Sequence, residues 1–304
     1  MEILSLLLKK LSRIKLNPSL CLNSKSTKIK CNNCMEICPN KAINIENGRI
    51  SISYDCKSCG ICTSVCPSKS IELKEPDEFS IYKSIKNGDI EKLSCRYHDN
   101  YERSYFDCFC IGNFSNELIL SILIIKPDLL LTFQKEKCSD CKYHIGFDKF
   151  FYSLKEETSK ISDQEKVNLK NDLAHSVDYD EGRREFLKNI FNPSTYLNLN
   201  KIDKYQKNVN YNMIMVDMVY KNPQIFHLYN HKSPVKAKEC IMCKACVKLC
   251  PSSALKFLNK DIYLNPMMCS SCNLCSDICY DDCLKMKDTV YEDFDGEYHP
   301  IRKE

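Results

Sequence analysis

The sequence predicts an α+β protein in which two small cysteine-rich domains flank a small βαβ unit and a helical spacer. Three observations carry that expectation. Cysteines gather in paired runs near both ends of the chain, a strand–helix–strand pattern with its own cysteines lies between them, and residues 150–232 hold no cysteine. The implied order is an amphipathic N-terminal helix (1–20), a first cysteine domain (21–75), the α/β unit (88–150), a helical spacer (151–232), a second cysteine domain (233–288) and a C-terminal tail (289–304).

At 304 residues the chain has room for about two or three domains. In the first segment Leu4, Leu7, Leu8, Leu11 and Ile14 recur at helical spacing beside Lys9, Lys10, Arg13 and Lys15. This reads as a capping helix with a solvated basic side, the alternative being a helix that touches an acidic partner or a membrane surface peripherally. Its acid precedes the apolar run and its bases follow, the reverse of a signal peptide. The longest apolar stretch, near Leu118 to Ile125, is too short to span a bilayer. Twenty-two cysteines in a chain neither short nor visibly exported argue against a disulfide scaffold. A cytoplasmic protein of a reducing, oxygen-poor cell is expected. The net charge of +4 is small, and no nucleic-acid partner is expected.

The first cysteine domain reads Cys31-Asn-Asn-Cys34-Met-Glu-Ile-Cys38-Pro39 and then Cys56-Lys-Ser-Cys59-Gly-Ile-Cys62-Thr-Ser-Val-Cys66-Pro67. The second of these is a complete C-x2-C-x2-C-x3-C run, the bacterial pattern for cubane iron–sulfur clusters, in which the fourth cysteine serves the other cluster. A loop carrying three thiolates curls around one cubane, and the fourth, starting the next helix, reaches its neighbour. In the first run Lys28 stands where the leading cysteine belongs, and lysine cannot replace a thiolate. Either that cluster is a three-iron species or a longer loop recruits Cys21, the one unassigned cysteine nearby. The Cys21 reading gives one set of Cys21, Cys31, Cys34 and Cys66, and a companion set of Cys38, Cys56, Cys59 and Cys62. Between them, alternating apolar and polar residues around Asn47-Gly48 predict a β-hairpin.

The second cysteine domain carries two complete runs, Cys240-Ile-Met-Cys243-Lys-Ala-Cys246-Val-Lys-Leu-Cys250-Pro251 and Cys269-Ser-Ser-Cys272-Asn-Leu-Cys275-Ser-Asp-Ile-Cys279. Its implied sets are Cys240, Cys243, Cys246 and Cys279, and separately Cys250, Cys269, Cys272 and Cys275. On these runs both domains resemble two-cluster bacterial-type ferredoxins, so the chain looks polyferredoxin-like. Structural zinc is the bland alternative, but zinc needs only cysteine pairs, not complete tandem runs. Three residues after each fourth cysteine the chain reads Lys41, Lys69, Ser253 and Asp282, and then Ala42, Ser70, Ala254 and Cys283. Cys283 therefore occupies a small-residue packing slot and reads as a buried free thiol.

In the middle segment, strands at Glu91 to Cys95 and Asp128 to Phe133 bracket a helix from Glu117, which suggests a parallel βαβ unit with cysteines at its strand ends. A cysteine after the first strand, Cys110 before Gly112, and the closing Cys138-Ser-Asp-Cys141 resemble the delta subunit of methyl-viologen-reducing hydrogenases. The resemblance implies a [2Fe-2S] cluster on Cys95, Cys110, Cys138 and Cys141, with Cys108 spare. Zinc on the same four, or a redox-active Cys138–Cys141 dithiol, are the alternatives. Lys-Tyr-His-Ile-Gly146 reads as a poor helix start, which weakens the dithiol reading.

In the spacer, Val177 to Phe191 reads as a bridging helix despite its twin arginines, and Met213 to Val219 as a segment buried against a cysteine domain. No nucleotide fingerprint appears, and the histidines are scattered. The chain thus has many electron stations and no visible organic-substrate site. It is expected to carry single electrons through up to four [4Fe-4S] clusters between a redox donor and an acceptor. Thiol–disulfide catalysis at the central cysteines, or an iron–sulfur sensor or maturation role, are the competing expectations.

Overall fold

Small cysteine domains lack the apolar residues for a large core, so their elements are short. The computed structural model describes residues 13–74, 76–90, 92–95, 106–108, 110–126, 129–132, 135–161, 213–221, 231–289 and 296–304. The first domain begins with β1 (Ile14–Leu16), a 3-10 turn at Pro18–Leu20 and α1 (Leu22–Lys25), followed by α2 (Asn33–Glu36). The hairpin β2 (Ile43–Glu46) and β3 (Arg49–Ile52) pairs Ile43 with Ile52 and Glu46 with Arg49. Asn47 and Gly48 both have positive φ, 50° and 74°, as a tight two-residue hairpin turn requires. β4 (Ile71–Leu73) closes the domain by pairing antiparallel with β1.

The predicted N-terminal helix is partly corrected. Residues 1–12 lie outside the described residues, but Ile14, the last of the helically spaced apolar residues, belongs to a strand. Its partner Leu73 and its place in the core beside Ile43 and Ile71 decide the matter, because tertiary pairing overrides a local period. The domain therefore starts before Cys21.

The central layer follows. α3 (Glu78–Asn87) is capped by the Asp77 side chain at the Ser80 N–H and ends at Gly88 with φ 82°. β5 (Lys92–Cys95), β6 (Phe106–Cys108) and β7 (Leu130–Thr132) form a parallel sheet in the order β6-β5-β7. α4 (Asn116–Ile125), capped by Ser115, leads from β6 across to β7 on the far side of β5 and is buried on nearly every side. The edge strand β6 was not legible, and it brings Cys108 opposite Cys95 in the ladder. α5 (Lys135–Asp140) is followed by α6 (His144–Ile161), an 18-residue helix where the sequence argued against a helix start. The reason is Gly146: a Cβ on Gly112 would meet its Cα at 2.4 Å, so two glycines let α6 press against the Cys110 turn.

α7 (Met213–Lys221) packs against α3 and α4 rather than on a cysteine domain, with Met215, Val216 and Val219 fully buried. Asp217 holds it there, accepting from the Tyr82 hydroxyl at 2.6 Å and pairing with Lys86. Of the second domain, only Met267 joins this core. The bridging helix proposed for 177–191 lies outside the described residues.

The second domain repeats the plan of the first. β8 (His231–Lys236) pairs with β11 (Leu284–Thr289) around α8 (Ala245–Leu249), the hairpin β9 (Leu255–Leu258) and β10 (Asp261–Leu264), and α9 (Leu274–Asp277). The segment given as a tail is part of this domain: β12 (His299–Pro300) pairs with β10, and Ile301 is buried in the core. The architecture is α+β, and no helix among the described residues is long and apolar enough to cross a membrane.

Candidate functional site

The three complete runs share one backbone signature. The residue before the second cysteine is left-handed in each: Ser58 (φ 55°), Met242 (57°) and Ser271 (53°). So is the residue after it: Gly60 (81°), Lys244 (61°) and Asn273 (62°). Outside glycine such conformations cost about 1–2 kcal/mol per residue. They persist where the loop must turn its N–H groups inward, forming a nest for negative charge. Accordingly the Met242 N–H donates to Cys240 Sγ at 3.3 Å.

The fourth cysteine of each run is followed by a second shared turn. Lys41, Lys69, Ser253 and Asp282 are all left-handed, with φ between 46° and 55°. The next residue is buried in every case: Ala42, Ser70, Ala254 and Cys283 are 2%, 1%, 1% and 1% exposed. This slot aims a donor at the fourth sulfur, as the Ala42 N–H reaches Cys38 Sγ at 3.3 Å and the Cys283 N–H reaches Cys279 Sγ at 3.2 Å. Cys283 does more than pack. Its thiol also faces the cavity beside Cys240.

Side chains of the complete runs meet in interlaced sets. Cys38, Cys56, Cys59 and Cys62 line one cavity with about 350 Å3 of empty space, hereafter site 2. Cys240, Cys243, Cys246 and Cys279 line another of about 360 Å3, site 3, and Cys250, Cys269, Cys272 and Cys275 a third of about 320 Å3, site 4. In each, the fourth cysteine comes from the other run of the same domain. Among the described residues no three His, Cys, Asp or Glu side chains close on a point that would hold a single metal ion; the thiols ring cavities instead.

Site 1 is assembled differently. Cys21, Cys31 and Cys66 are the thiols whose charges act on Cys34, and Cys21 and Cys34 are both 6% exposed. Lys28 is exposed, and Asn32 has φ −126°, so the left-handed turn of the other runs is missing here. In its place Cys21 follows a 3-10 turn, and the Asn23 side chain clamps this loop to the run. It donates to the Cys31 carbonyl at 2.7 Å and accepts from the Cys31 N–H at 3.2 Å. Gly48 presses from below, since a Cβ there would lie 2.7 Å from the Asn23 carbonyl oxygen. Nothing in the sequence singled out Asn23, because its partners lie eight residues on and across a hairpin.

Among the central cysteines, Cys110 is buried and feels Cys95, Cys59 and Cys138. Cys141 packs against the same apolar cluster as Cys59 and Cys110, and its sulfur accepts from the Tyr143 N–H at 3.4 Å. The Gly112 N–H donates to Cys110 Sγ at 3.4 Å. The side chain of Cys108 lies outside the described residues.

Burial, reinforced by neighbouring thiols, pushes Cys34 and Cys269 up to about 12 and Cys246 to about 11, and raises Cys62 and Cys275 as well. So many crowded, desolvated thiols cannot ionise together unaided. Together they ionise only where cations at the centre of the ring offset their charge, as iron–sulfur cubes ligated by thiolate would. Four thiols per cavity, inward N–H groups and the interlaced sets fit such a group. No similar sequence was found among curated proteins. Residues 29–71 match the model of the 4Fe-4S dicluster domain family, so this stretch is one ferredoxin-type iron–sulfur domain.

Proposed function

We propose that the chain is an electron-transfer protein holding four [4Fe-4S] clusters, two in each of two ferredoxin-type domains, and a fifth centre on Cys95, Cys110, Cys138 and Cys141. The observation that carries this reading is the set of three similar cavities, each ringed by four cysteines drawn from both runs of its domain. A bound cubane takes up and releases one electron at a time. The chain's part is to supply thiolates, to keep water from the sulfurs and to donate backbone N–H bonds that stabilise the reduced, more negative state. All-cysteine ligation favours low potentials, since histidine ligands raise them.

The two-iron assignment of the central site rests on its likeness to the hydrogenase delta subunit and on the proximity of Cys110 to Cys95 and Cys138. A cytoplasmic, oxygen-poor setting suits so many thiols held as cluster ligands. The partners are a redox protein donor and acceptor. Anaerobic protein titrated with dithionite and followed by EPR tests the reading. Reversible reduction of every centre without turnover is expected. Disulfide turnover that disappears in Cys138→Ala, or irreversible release of clusters to an apo-protein, would replace it with an enzyme or a maturation factor.

A further inference from the structure

The walls shared between cysteine sites set an order that neither the runs nor their spacing contain. The central site abuts site 2: Cys59 and Cys110 are buried in one apolar cluster with Ile61 and Tyr143. A Cβ on Gly146 would meet Ile61 Cδ1 at 2.7 Å and Cys110 Sγ at 2.8 Å, so three segments touch here with no room to spare. The Ser64 hydroxyl also donates to the Gly112 carbonyl at 2.9 Å, tying the two loops together. Site 2 adjoins site 1 within the first domain, where Cys34 and Cys62 are buried in one core cluster.

Site 1 then meets the second domain across an apolar seam of Leu22, Ile29, Leu274 and Ile278, with Cys31 on one side and Cys272 on the other. Beside the seam, Cys66 of site 1 and Cys269 of site 4 line a single cleft. Site 4 adjoins site 3, where Cys275 packs on the core cluster that buries Cys246. The free end is site 3: Cys243 is the one exposed thiol among the described cysteines, flanked by Ile241 and Met242 at 57% and 49% exposure.

We propose that these thiol sites form one unbranched line, in the order central site, site 2, site 1, site 4 and site 3, with the crossing between the two cluster-binding halves made between site 1 and site 4, at the Cys31–Cys272 seam and the Cys66–Cys269 cleft beside it. This deepens the electron-transfer reading and rests on it. Exchange between centres falls steeply with separation, so an electron arriving at the exposed end must pass site 4 and site 1 to reach the central cysteines. The missing cysteine at position 28 gains a reason, because the rebuilt segment supplies Leu22 and Ile29 to the seam.

Full-length chains that keep only two cubane sites test the order by EPR of the reduced state. A chain keeping sites 1 and 4 (Cys56→Ala, Cys59→Ala, Cys243→Ala and Cys246→Ala) is expected to show spin–spin broadening. A chain keeping sites 2 and 3 (Cys31→Ala, Cys34→Ala, Cys269→Ala and Cys272→Ala, with Cys95→Ala and Cys138→Ala removing the central centre) is expected to show two independent signals. Adding Ile29→Asp to the first chain should abolish the broadening at unchanged iron content. An uncoupled pair of sites 1 and 4, a coupled pair of sites 2 and 3, or broadening that survives Ile29→Asp overturns the order.

The unaltered chain supplies a second measurement that needs no variant to fold. An amine cross-linker should join Lys30 to Lys248, which are exposed neighbours of the seam residues Ile29 and Leu249. Single modification of both lysines without that link overturns the seam. Wild-type chain lacking iron and any reduced signal sinks the electron-transfer reading itself. Wild-type chain with every cluster reducible, but with sites 1 and 4 uncoupled, sinks only the order.

Discussion

The first cysteine loop of the N-terminal domain and the three other loops gather their thiols on different backbones. The three complete loops place two left-handed residues around their second cysteine and draw all thiols from one short turn and its crossover. The first loop has neither left-handed residue and reaches for Cys21, ten positions upstream, through a 3-10 turn and the Asn23 clamp. The difference teaches that thiol placement, not loop sequence, is what the site requires. It also shows what was gained: Ile29, next to the lost position, turns into the seam with the second domain.

The largest effect should come from Cys21→Ser. Site 1 is expected to lose one iron and give a three-iron signal when oxidised, while the other sites stay intact. Adding Lys28→Cys should not restore the fourth iron, because Lys28 is exposed and the left-handed turn that would aim it is absent. Recovery of a four-iron cluster in the double variant would break the comparison.

Removing the metal should divide the molecule next. The central layer has a continuous apolar core of Leu93, Phe114, Leu118, Phe150 and their neighbours. The cysteine domains instead place Cys34, Cys62 and Cys246 within their cores. Chelation is expected to unfold the two cluster domains and leave the central helices, seen as retained helical circular dichroism with lost near-ultraviolet signal. A single cooperative collapse of all three would contradict this.

Two smaller effects separate the halves. Gly48→Ala should cost about 2 kcal/mol, from a left-handed backbone and from overlap with the Asn23 carbonyl. The matching turn of the second domain has no glycine, and Asn259→Gly there (φ 49°) should change stability by only a few tenths, about 0.5 kcal/mol at most. Denaturant midpoints of the reconstituted proteins check both. Smallest of all, Cys283→Ala should leave iron content unchanged and lower the potential of site 3, because the cavity wall beside Cys240 loses a polar thiol. An unmoved potential would return Cys283 to a purely packing role.

Much of this was legible because local chemistry writes it locally. Complete cysteine runs specify their own loops, and Asn47-Gly48 between alternating residues specifies a hairpin and its register. The central helix announced itself from Glu117 by continuous apolar sequence, and the structure starts it one residue earlier, behind the Ser115 cap. What stayed hidden depends on distant partners. Ile14 fits a helical period equally well until Leu73 pairs with it, and Ile301 looks like tail until the second core encloses it. The start of α6 at His144 runs against propensity because Gly146 serves a close approach to Gly112 and Cys110. Asn23 and the Leu22–Ile278 seam have no local signature, since each is defined by its contact across the fold.

The most direct test of the account is the iron and acid-labile sulfide content of the anaerobically purified chain. Four cubane clusters predict about sixteen of each per chain, and about eighteen with a two-iron centre at the central cysteines. A chain that is fully folded yet colourless, carrying zinc or no metal, would contradict it.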